Sequence, residues 1–238
     1  MSGSAVFSVE DIDVFYGSSQ ILFGVGFEVA QGQTMALLGR NGAGKSTTLK
    51  AIAGLAPPRR GRIAVRGVEM QGCKPHVIAR AGVGFVPEDR QVFPEHSVED
   101  NLTIAAKKGP NGEDYWTVAR IYEVFPLLSP LRHRQAGRLS GGEQQMLSVA
   151  RALMGNPIAL LLDEPSEGLA PIVVQRIGEL VRHLRDTGAT ILLAEQNMHF
   201  CLGIASDATV IDKGQIVYRD TIQNLKANDG VRQRYLAI

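Results

Sequence analysis

Residues 39–46, which read GRNGAGKS, are the stretch of sequence that decides the fold. They follow the apolar segment 34–38, which is predicted to be a short strand, and they run into good helix formers over residues 45–53. The spacing G-x-x-x-x-G-K-S between a strand and a helix is typical of a loop that binds phosphate groups. An ordinary glycine-rich turn is the alternative, and the strand and helix on either side disfavour it.

The residues of this loop have predictable tasks at a triphosphate. Lys45 is expected to bring a point charge to the phosphate oxygens, and the hydroxyl of Ser46 is the expected Mg²⁺ ligand. Thr47 is placed to contact the region of the α-phosphate. The bare backbone of the loop curls around the β- and γ-phosphates, and the following helix points its positive end at them. Nucleotide contacts are therefore predicted for Gly39, Asn41, Gly42, Gly44, Lys45, Ser46 and Thr47.

A second apolar segment ends in two carboxylates. Residues 160–164 read LLLDE, and the strand predicted over residues 158–162 delivers Asp163 and Glu164 to its carboxyl end. Asp163 is expected to reach the metal, most often through a coordinated water. Glu164 is expected to orient the water that attacks the γ-phosphate or to accept its proton. Standing alone, the pair would be a solvated helix cap, but the intact phosphate loop favours the catalytic interpretation.

Between these two motifs, residues 139–145 read LSGGEQQ. A serine hydroxyl and bare backbone amides at the start of a helix, predicted here over residues 143–154, form a second anion site. With the three motifs in this order, the chain resembles the ATPase subunits of ATP-binding-cassette (ABC) systems over essentially its whole length. The resemblance implies a fold, two cofactors, a dimer and several membrane partners.

The resemblance implies that the cofactors are ATP and Mg²⁺ and that two subunits pack head to tail. The serine-glycine-glycine segment of one subunit would then close over the γ-phosphate that Lys45 of the other holds, so a monomer should be a poor ATPase. The residues expected to act across this dimer are Ser140, Gly141, Gly142 and Glu143.

An aromatic residue near the N-terminus stacks on adenine in the family. Tyr16, just before Gly17, matches that position. Phe15 is the open alternative, because either ring could pack in the core while the other stacks.

Three positions depart from the commonest family pattern. Glu88 stands where a glutamine is usual, Ala170 where an aspartate is usual, and Gln196 where a histidine is usual. Glu88 could still contact Mg²⁺ or water, and the Gln196 amide could bind a γ-phosphate but cannot carry positive charge. A degenerate cassette that does not hydrolyse ATP is one interpretation. The other is more specific, because the three replacements together resemble the ATPase subunits of branched-chain amino-acid importers.

The pattern of elements predicts an α/β fold: a P-loop NTPase core with a mainly parallel sheet, an N-terminal antiparallel β portion and an inserted helical subdomain. Strand signals fade over about residues 88–137, where helices are predicted over 98–107 and 116–125. We therefore expect one ABC ATPase domain over residues 1–238, with its core in residues 1–87 and 138–238. A hairpin is predicted around residues 212–214.

Composition excludes several classes of function. The 238 residues carry a formal net charge of +1, which gives no reason to expect nucleic acid as a partner. Cys73 and Cys201 lie far apart and are expected to be reduced thiols. The N-terminus shows no secretory signal, and the apolar runs are much shorter than the roughly 20 residues that span a bilayer. A cytoplasmic protein that docks on the inner face of the cell membrane is expected.

The resemblance implies three kinds of partner: membrane-spanning permease subunits, a second ABC ATPase subunit as homodimer or sister heterodimer, and, indirectly, an extracytoplasmic binding protein. Val92, Phe93 and Pro94 are candidates for the floor of the permease groove, and internal packing of the insert is an equal alternative. Branched-chain or other hydrophobic amino acids are the expected cargo. Urea or short amides, a soluble ABC ATPase and an inactive ATP-binding module are the alternatives.

Overall fold

Two β-sheets and the helices around them make up the computed structural model, which describes residues 5–236. The strands are β1 (Ala5–Tyr16), β2 (Ser19–Ala30), β3 (Thr34–Leu38), β4 (Arg60–Val65), β5 (Val68–Glu69), β6 (Val83–Val86), β7 (Ala159–Asp163), β8 (Thr190–Glu195), β9 (Asp207–Asp212) and β10 (Gln215–Thr221). The helices are α1 (Lys45–Ile52), α2 (Pro75–Arg80), α3 (Val98–Ala105), α4 (Val118–Val124), α5 (Gly141–Leu153), α6 (Pro171–Asp186), α7 (Met198–Leu202), α8 (Ile222–Ala227) and α9 (Asp229–Val231). Short 3₁₀ turns cover Ser129–Leu131 and Ala136–Arg138, and a π-helical turn covers Arg232–Leu236.

The larger sheet has six strands in the order β10-β9-β3-β8-β7-β6. All neighbours in it are parallel except β9 and β10, which form the predicted hairpin. The smaller sheet, in the order β2-β1-β4-β5, is antiparallel. The predicted α/β fold with a mainly parallel sheet and an N-terminal antiparallel portion is confirmed.

The strands of the parallel sheet that carry the site are buried on both faces. Every residue of β3, β7 and β8 is buried, so these strands are apolar runs and do not alternate between polar and apolar residues. One face packs under α1 and the antiparallel sheet, whereas the other packs under α5 and α6. The register sets Leu38 opposite Glu195 and Asp163 opposite Ala194, which brings the carboxyl ends of three strands to one edge.

The described elements between β6 and α5 are helical turns and helices, as the sequence predicts for the insert. Leu102 of α3 and Ile121 of α4 pack in the same apolar cluster as Leu147 of α5. The boundaries of the insert at residues 88 and 137 stay a prediction. Within residues 5–236, no helix is both long enough and apolar enough to cross a membrane.

Two predicted helix starts were wrong by two residues, and side-chain caps explain both. Helix α5 begins at Gly141 because Ser140 caps it, and α4 begins at Val118 because the Thr117 hydroxyl accepts a hydrogen bond from the Arg120 amide. Helices α2, α7, α8 and α9 were not predicted. The longest of them have six residues, which is too short for a helical period to stand out.

Candidate nucleotide-binding site

The phosphate loop turns sharply between β3 and α1. Gly42 and Gly44 adopt positive φ angles of 78° and 112°, which favour glycine over residues with a side chain. A Cβ on Gly39 would lie 2.4 Å from the carbonyl oxygen of Ile211, so only glycine fits there as well. The conformation of the loop therefore requires glycine at these positions even without a bound phosphate.

Lys45 extends its side chain back across the loop. Its ammonium donates hydrogen bonds to the carbonyl oxygens of Gly39 at 2.9 Å and Arg40 at 3.1 Å, and it lies 2.9 Å from Glu164 Oε1. The lysine side chain is only 2% exposed. A buried ammonium is costly unless it is paired, and here three oxygens surround it. The structure thus joins the phosphate loop to the acidic end of β7.

Ser46 makes the second connection between the same two elements. Its hydroxyl donates a 2.9 Å hydrogen bond to Asp163 Oδ1. Burial raises the pKa of the Asp163 carboxyl to about 6, although the Ser46 hydrogen bond works against that shift. A hydroxyl beside a carboxylate is a set of hard oxygen donors that suits Mg²⁺, so the residues fit the metal that the motif implies.

Glu88 follows β6, next to β7, and its charge adds to the upward shift in the pKa of Asp163. Its side chain is exposed at this edge, on the side of the acidic residues. Thr47 is buried in α1, whereas Asn41 is exposed on the loop. The predicted loop and acid residues therefore gather at one place.

Glu164 is held in an unusual backbone conformation directly after β7. Its φ angle is 45°, in the left-handed region, and its amide donates a 3.0 Å hydrogen bond to the Ala194 carbonyl oxygen. Burial pushes the pKa of its carboxyl up, but interactions with Glu167 and Lys45 outweigh burial and hold the pKa below its ordinary value. Glu164 is therefore kept ionised, which is what a general base requires.

Glu167 is an acid that the sequence reasoning missed. The hydrogen bond to Glu164, followed by burial, raises the pKa of Glu167 to about 7. Its amide also closes a turn on the Glu164 carbonyl oxygen at 3.1 Å. Nothing in the motif spacing singles this residue out, because its relation to Glu164 depends on the turn between them.

The sequence analysis also did not predict a role for Glu195, which binds the loops that follow β7 and β8. This buried carboxylate accepts hydrogen bonds from the Ser166 amide at 3.1 Å and the Asn197 amide at 3.3 Å. Burial raises the pKa of its carboxyl. A charged residue at the end of the apolar strand β8 was the signal in the sequence for such a role.

Gln196 borders a cavity of about 440 Å³ that Glu164 also lines, so the structure brings these two predicted residues together.

The segment of residues 140–143 begins α5 with a reciprocal cap. The Ser140 hydroxyl accepts a hydrogen bond from the Glu143 amide, while the Glu143 carboxylate accepts hydrogen bonds from the Ser140 amide at 2.7 Å and the Ser140 hydroxyl at 2.8 Å. A Cβ on Gly142 would lie 2.4 Å from Val173 Cγ1, and one on Gly141 would lie 2.7 Å from Arg90 Nη1. A side chain at position 142 would therefore disturb the start of this helix, whereas one at position 141 would displace the end of the Arg90 side chain.

No hydrogen bond in the described chain joins residues 140–143 to the phosphate loop. The structure therefore brings the phosphate loop and the acids together, whereas the serine-glycine-glycine segment forms its own cap at the start of α5.

Ala170 is the N-cap residue of α6 and makes no side-chain cap hydrogen bond. Its loop continues from Glu164 and Glu167 toward that helix.

Tyr16 lies at the tip of the β1–β2 hairpin, close to the phosphate loop. Val14 pairs with Leu22, and a Cβ on Gly44 would lie 2.7 Å from Leu22 Cδ2, so the hairpin packs directly on the loop. Tyr16 is two residues further toward the tip and is 48% exposed. Its neighbour Phe15 is only partly exposed.

The fold and the site together define a P-loop ATPase: a phosphate loop after a parallel strand, an acid pair after the next strand but one, and a capped glycine segment. The chain belongs to the ABC transporter family, which matches residues 22–167. It is an ATP-binding, ATP-hydrolysing subunit of the ABC type, which confirms the class that the three motifs predict.

Relatives of known name cover nearly the whole chain. The high-affinity branched-chain amino acid transport ATP-binding protein BraG of Pseudomonas aeruginosa is 41% identical and spans 96% of this chain and 98% of its own. The lipopolysaccharide export system ATP-binding protein LptB of Escherichia coli is 30% identical over 98% of this chain and 97% of its own. A solved ATP-binding cassette of an ABC transporter in its ADP conformation superposes with a TM-score of 0.81, at 27% identity, over 96% of this chain and 97% of that one.

Proposed function

We propose that this ABC ATPase drives the import of branched-chain or other hydrophobic amino acids. The observation that carries the proposal is the 41% identity to BraG over almost the full length of both chains, compared with 30% to LptB. Glu88, Ala170 and Gln196, which resemble the pattern of that importer group, support the same cargo.

At the site, we propose that Lys45 and the loop glycines bind the triphosphate of ATP and that Tyr16 stacks on adenine. Ser46, Asp163 and Glu88 would hold Mg²⁺, which would neutralise charge on the phosphates when bound. Glu164 accepts the proton of the attacking water, and Gln196 offers its amide to the γ-phosphate from the same cavity.

The serine-glycine-glycine segment is proposed to act on a second subunit. Within the described residues, Ser140 and its neighbours make no hydrogen bond with Lys45 of their own chain, although the start of α5 offers amides to an anion. A head-to-tail dimer, made of two copies or of this chain and a sister, would use that anion site. The dimer would dock on membrane-spanning permease subunits at the inner face of the cell membrane, and an extracytoplasmic protein would deliver the cargo.

Uptake of labelled leucine by cells with and without this gene tests the cargo. Deletion should reduce leucine uptake, wild-type protein should restore it, and the Glu164→Gln variant should not. If leucine uptake is unchanged while urea uptake falls, the amino-acid assignment is wrong although the importer assignment survives. If neither changes, the import proposal fails.

A further inference from the structure

Arg59 contacts the tip of the β1–β2 hairpin from outside the nucleotide site. Its Nη2 donates a 2.6 Å hydrogen bond to the Gly17 carbonyl oxygen, and its guanidinium carbon lies 4.4 Å from the centroid of the Phe15 ring. Its own amide donates a 2.8 Å hydrogen bond to the Asp13 carbonyl oxygen. Arg59, which lies just before β4, thus contacts three residues of the segment that carries Tyr16.

These contacts determine which of the two neighbouring rings, Phe15 or Tyr16, is free to stack on a base. A guanidinium over the face of an aromatic ring is held by the ring quadrupole, so one face of Phe15 is occupied by Arg59. Within the described residues no guanidinium lies over the Tyr16 ring, and Tyr16 is 48% exposed. Within the described chain no carboxylate lies within ion-pair distance of Arg59, so its charge is directed to the Phe15 ring and the Gly17 carbonyl.

The hydrogen bond to Gly17 also fixes the backbone on the far side of Tyr16. Gly17 has a φ angle of 60°, and its turn returns the chain from β1 to β2, where Tyr16 pairs with Ser19. With Asp13 and Gly17 both held by Arg59, the short segment between them has little freedom to rotate. The backbone that carries the Tyr16 ring is therefore held on both sides of that residue.

We propose that Arg59 is a positioning residue for recognition of the nucleobase: by covering Phe15 and holding the turn after Tyr16, it leaves the Tyr16 ring in place to stack on adenine. The inference rests on the proposed binding of ATP at Tyr16 and Lys45. Arg59 acts through Tyr16 and, in the described residues, makes no hydrogen bond to the phosphate loop, so its effect should be confined to ligands that carry a base.

Calorimetric titration with two ligands separates this effect from a general loss of binding. The ligands are the non-hydrolysable ATP analogue AMP-PNP and inorganic tripolyphosphate, which has the phosphates without the base, both with Mg²⁺. Arg59→Ala should weaken AMP-PNP binding about three- to tenfold, the size expected for loss of a cation–π contact and a charge-assisted hydrogen bond, and should leave tripolyphosphate binding unchanged. Arg60→Ala is the matched control, because Arg60 is exposed beside Arg59 and makes no side-chain hydrogen bond in the described residues.

A double substitution tests whether Arg59 acts through Tyr16. In a Tyr16→Ala background, Arg59→Ala should weaken AMP-PNP binding no further, because there is no ring left to position. Since both ligands are titrated into one preparation, a misfolded fraction lowers both stoichiometries equally and leaves the ratio of affinities unchanged. Equal loss for both ligands, an unchanged AMP-PNP affinity, or additive losses in the double variant would each overturn the proposal.

Lys45→Ala distinguishes this failure from failure of the site itself. That substitution should weaken binding of both ligands strongly. If it leaves both unchanged, the proposed nucleotide site is wrong whatever Arg59 does. If it weakens both while Arg59→Ala has no selective effect, the site stands and only the positioning of Tyr16 by Arg59 is excluded.

Discussion

The ammonium of Lys45 and the carboxylate of Glu164 lie 2.9 Å apart and are both nearly shielded from solvent. Lys45 also donates to the carbonyl oxygens of Gly39 and Arg40, so all three of its N–H donors have acceptors. A phosphate oxygen that binds Lys45 must therefore replace one of these acceptors. We propose that a γ-phosphate oxygen displaces the Glu164 carboxylate from Lys45 and so frees that carboxylate for the attacking water.

Glu164→Gln tests both halves of that relationship. Loss of a general base costs roughly 10²–10⁴-fold in turnover, so phosphate release should fall by that order. ATP binding should survive or tighten, because the neutral amide competes less well than a carboxylate for Lys45. Phosphate release and calorimetric binding of ATP measure the two effects.

Glu123→Gln is the control for this substitution, since Glu123 is exposed on α4 and the described chain shows no ion pair for it. It should behave as the wild type in both assays. Turnover by Glu164→Gln within tenfold of the wild type would show that another group takes the proton.

Arg90 links three segments that the sequence presents as separate motifs. Its Nη2 donates a 3.1 Å hydrogen bond to the Glu167 carbonyl oxygen, and its Nη1 lies beside Gly141. Arg90→Ala should slow ATP turnover roughly tenfold, because a charge-assisted hydrogen bond contributes about 1.5 kcal/mol to holding these segments. The affinity for ATP measured by calorimetry should change little, since in the described residues Arg90 makes no hydrogen bond to the phosphate loop.

Arg80→Ala, in the last turn of α2, is the control for Arg90, because it removes an exposed arginine away from these segments. A fall in ATP affinity that matches the fall in turnover would contradict a linking role for Arg90. The same result for both variants would point to net charge as the cause.

The parallel strands and the phosphate loop could be predicted because local sequence determines them. The apolar runs of β3, β7 and β8 are buried on both faces, and the glycines of the loop are required by their own backbone angles. The sequence predicts that Lys45 and Glu164 both act at the γ-phosphate and therefore lie near each other. It does not predict that they form an ion pair.

Arg59, Arg90, Glu167 and Glu195 could not be assigned in the same way. Three of them bind backbone groups that the fold brings near: the Gly17 carbonyl for Arg59, the Glu167 carbonyl for Arg90 and two loop amides for Glu195. Glu167 depends on the turn that brings it to the Glu164 carboxyl. Because nearly every residue type has the same main-chain groups, a hydrogen bond to one of them cannot be recognised from the partner's residue type. Such positioning residues therefore become visible only in three dimensions.

The acid pair of Glu164 and Glu167 predicts a dependence of stability on pH. The pKa of Glu167 is raised from 4.5 to about 7, so between these values the folded protein binds more protons there than the unfolded chain. The resulting stabilisation is fully present below pH 4.5 and is lost as pH rises through about 7. The free energy of unfolding should fall over this window in the wild type and fall less in Glu167→Gln.

Urea unfolding at about pH 5 and about pH 8 measures that difference between the two proteins. Asp163, whose raised pKa acts in the same direction, is present in both proteins, so the difference reports Glu167 together with its hydrogen bond to Glu164. Glu123→Gln should keep the wild-type slope. Parallel slopes for the wild type and Glu167→Gln would show that the Glu167 proton is not held by the fold.

Phe93 allows a test of permease docking that spares the fold. Its backbone amide and carbonyl are both bound by the buried side chain of Asn101, at 2.9 and 3.0 Å, and its ring is 41% exposed over the Arg151 guanidinium. A glutamate at this position could pair with Arg151, so Phe93→Glu should fold and bind ATP normally. A charge on an apolar docking surface should nevertheless abolish transport, because a carboxylate would have to be buried against the permease.

Leucine uptake in cells and ATP binding by the purified variant measure the two consequences of Phe93→Glu. Val68→Glu is the control, because Val68 is a still more exposed apolar residue, at 57%, on the short strand β5 of the other sheet. It should affect neither measurement. If Phe93→Glu reduces ATP binding as much as uptake, Phe93 supports the insert from within, and the docking surface lies elsewhere.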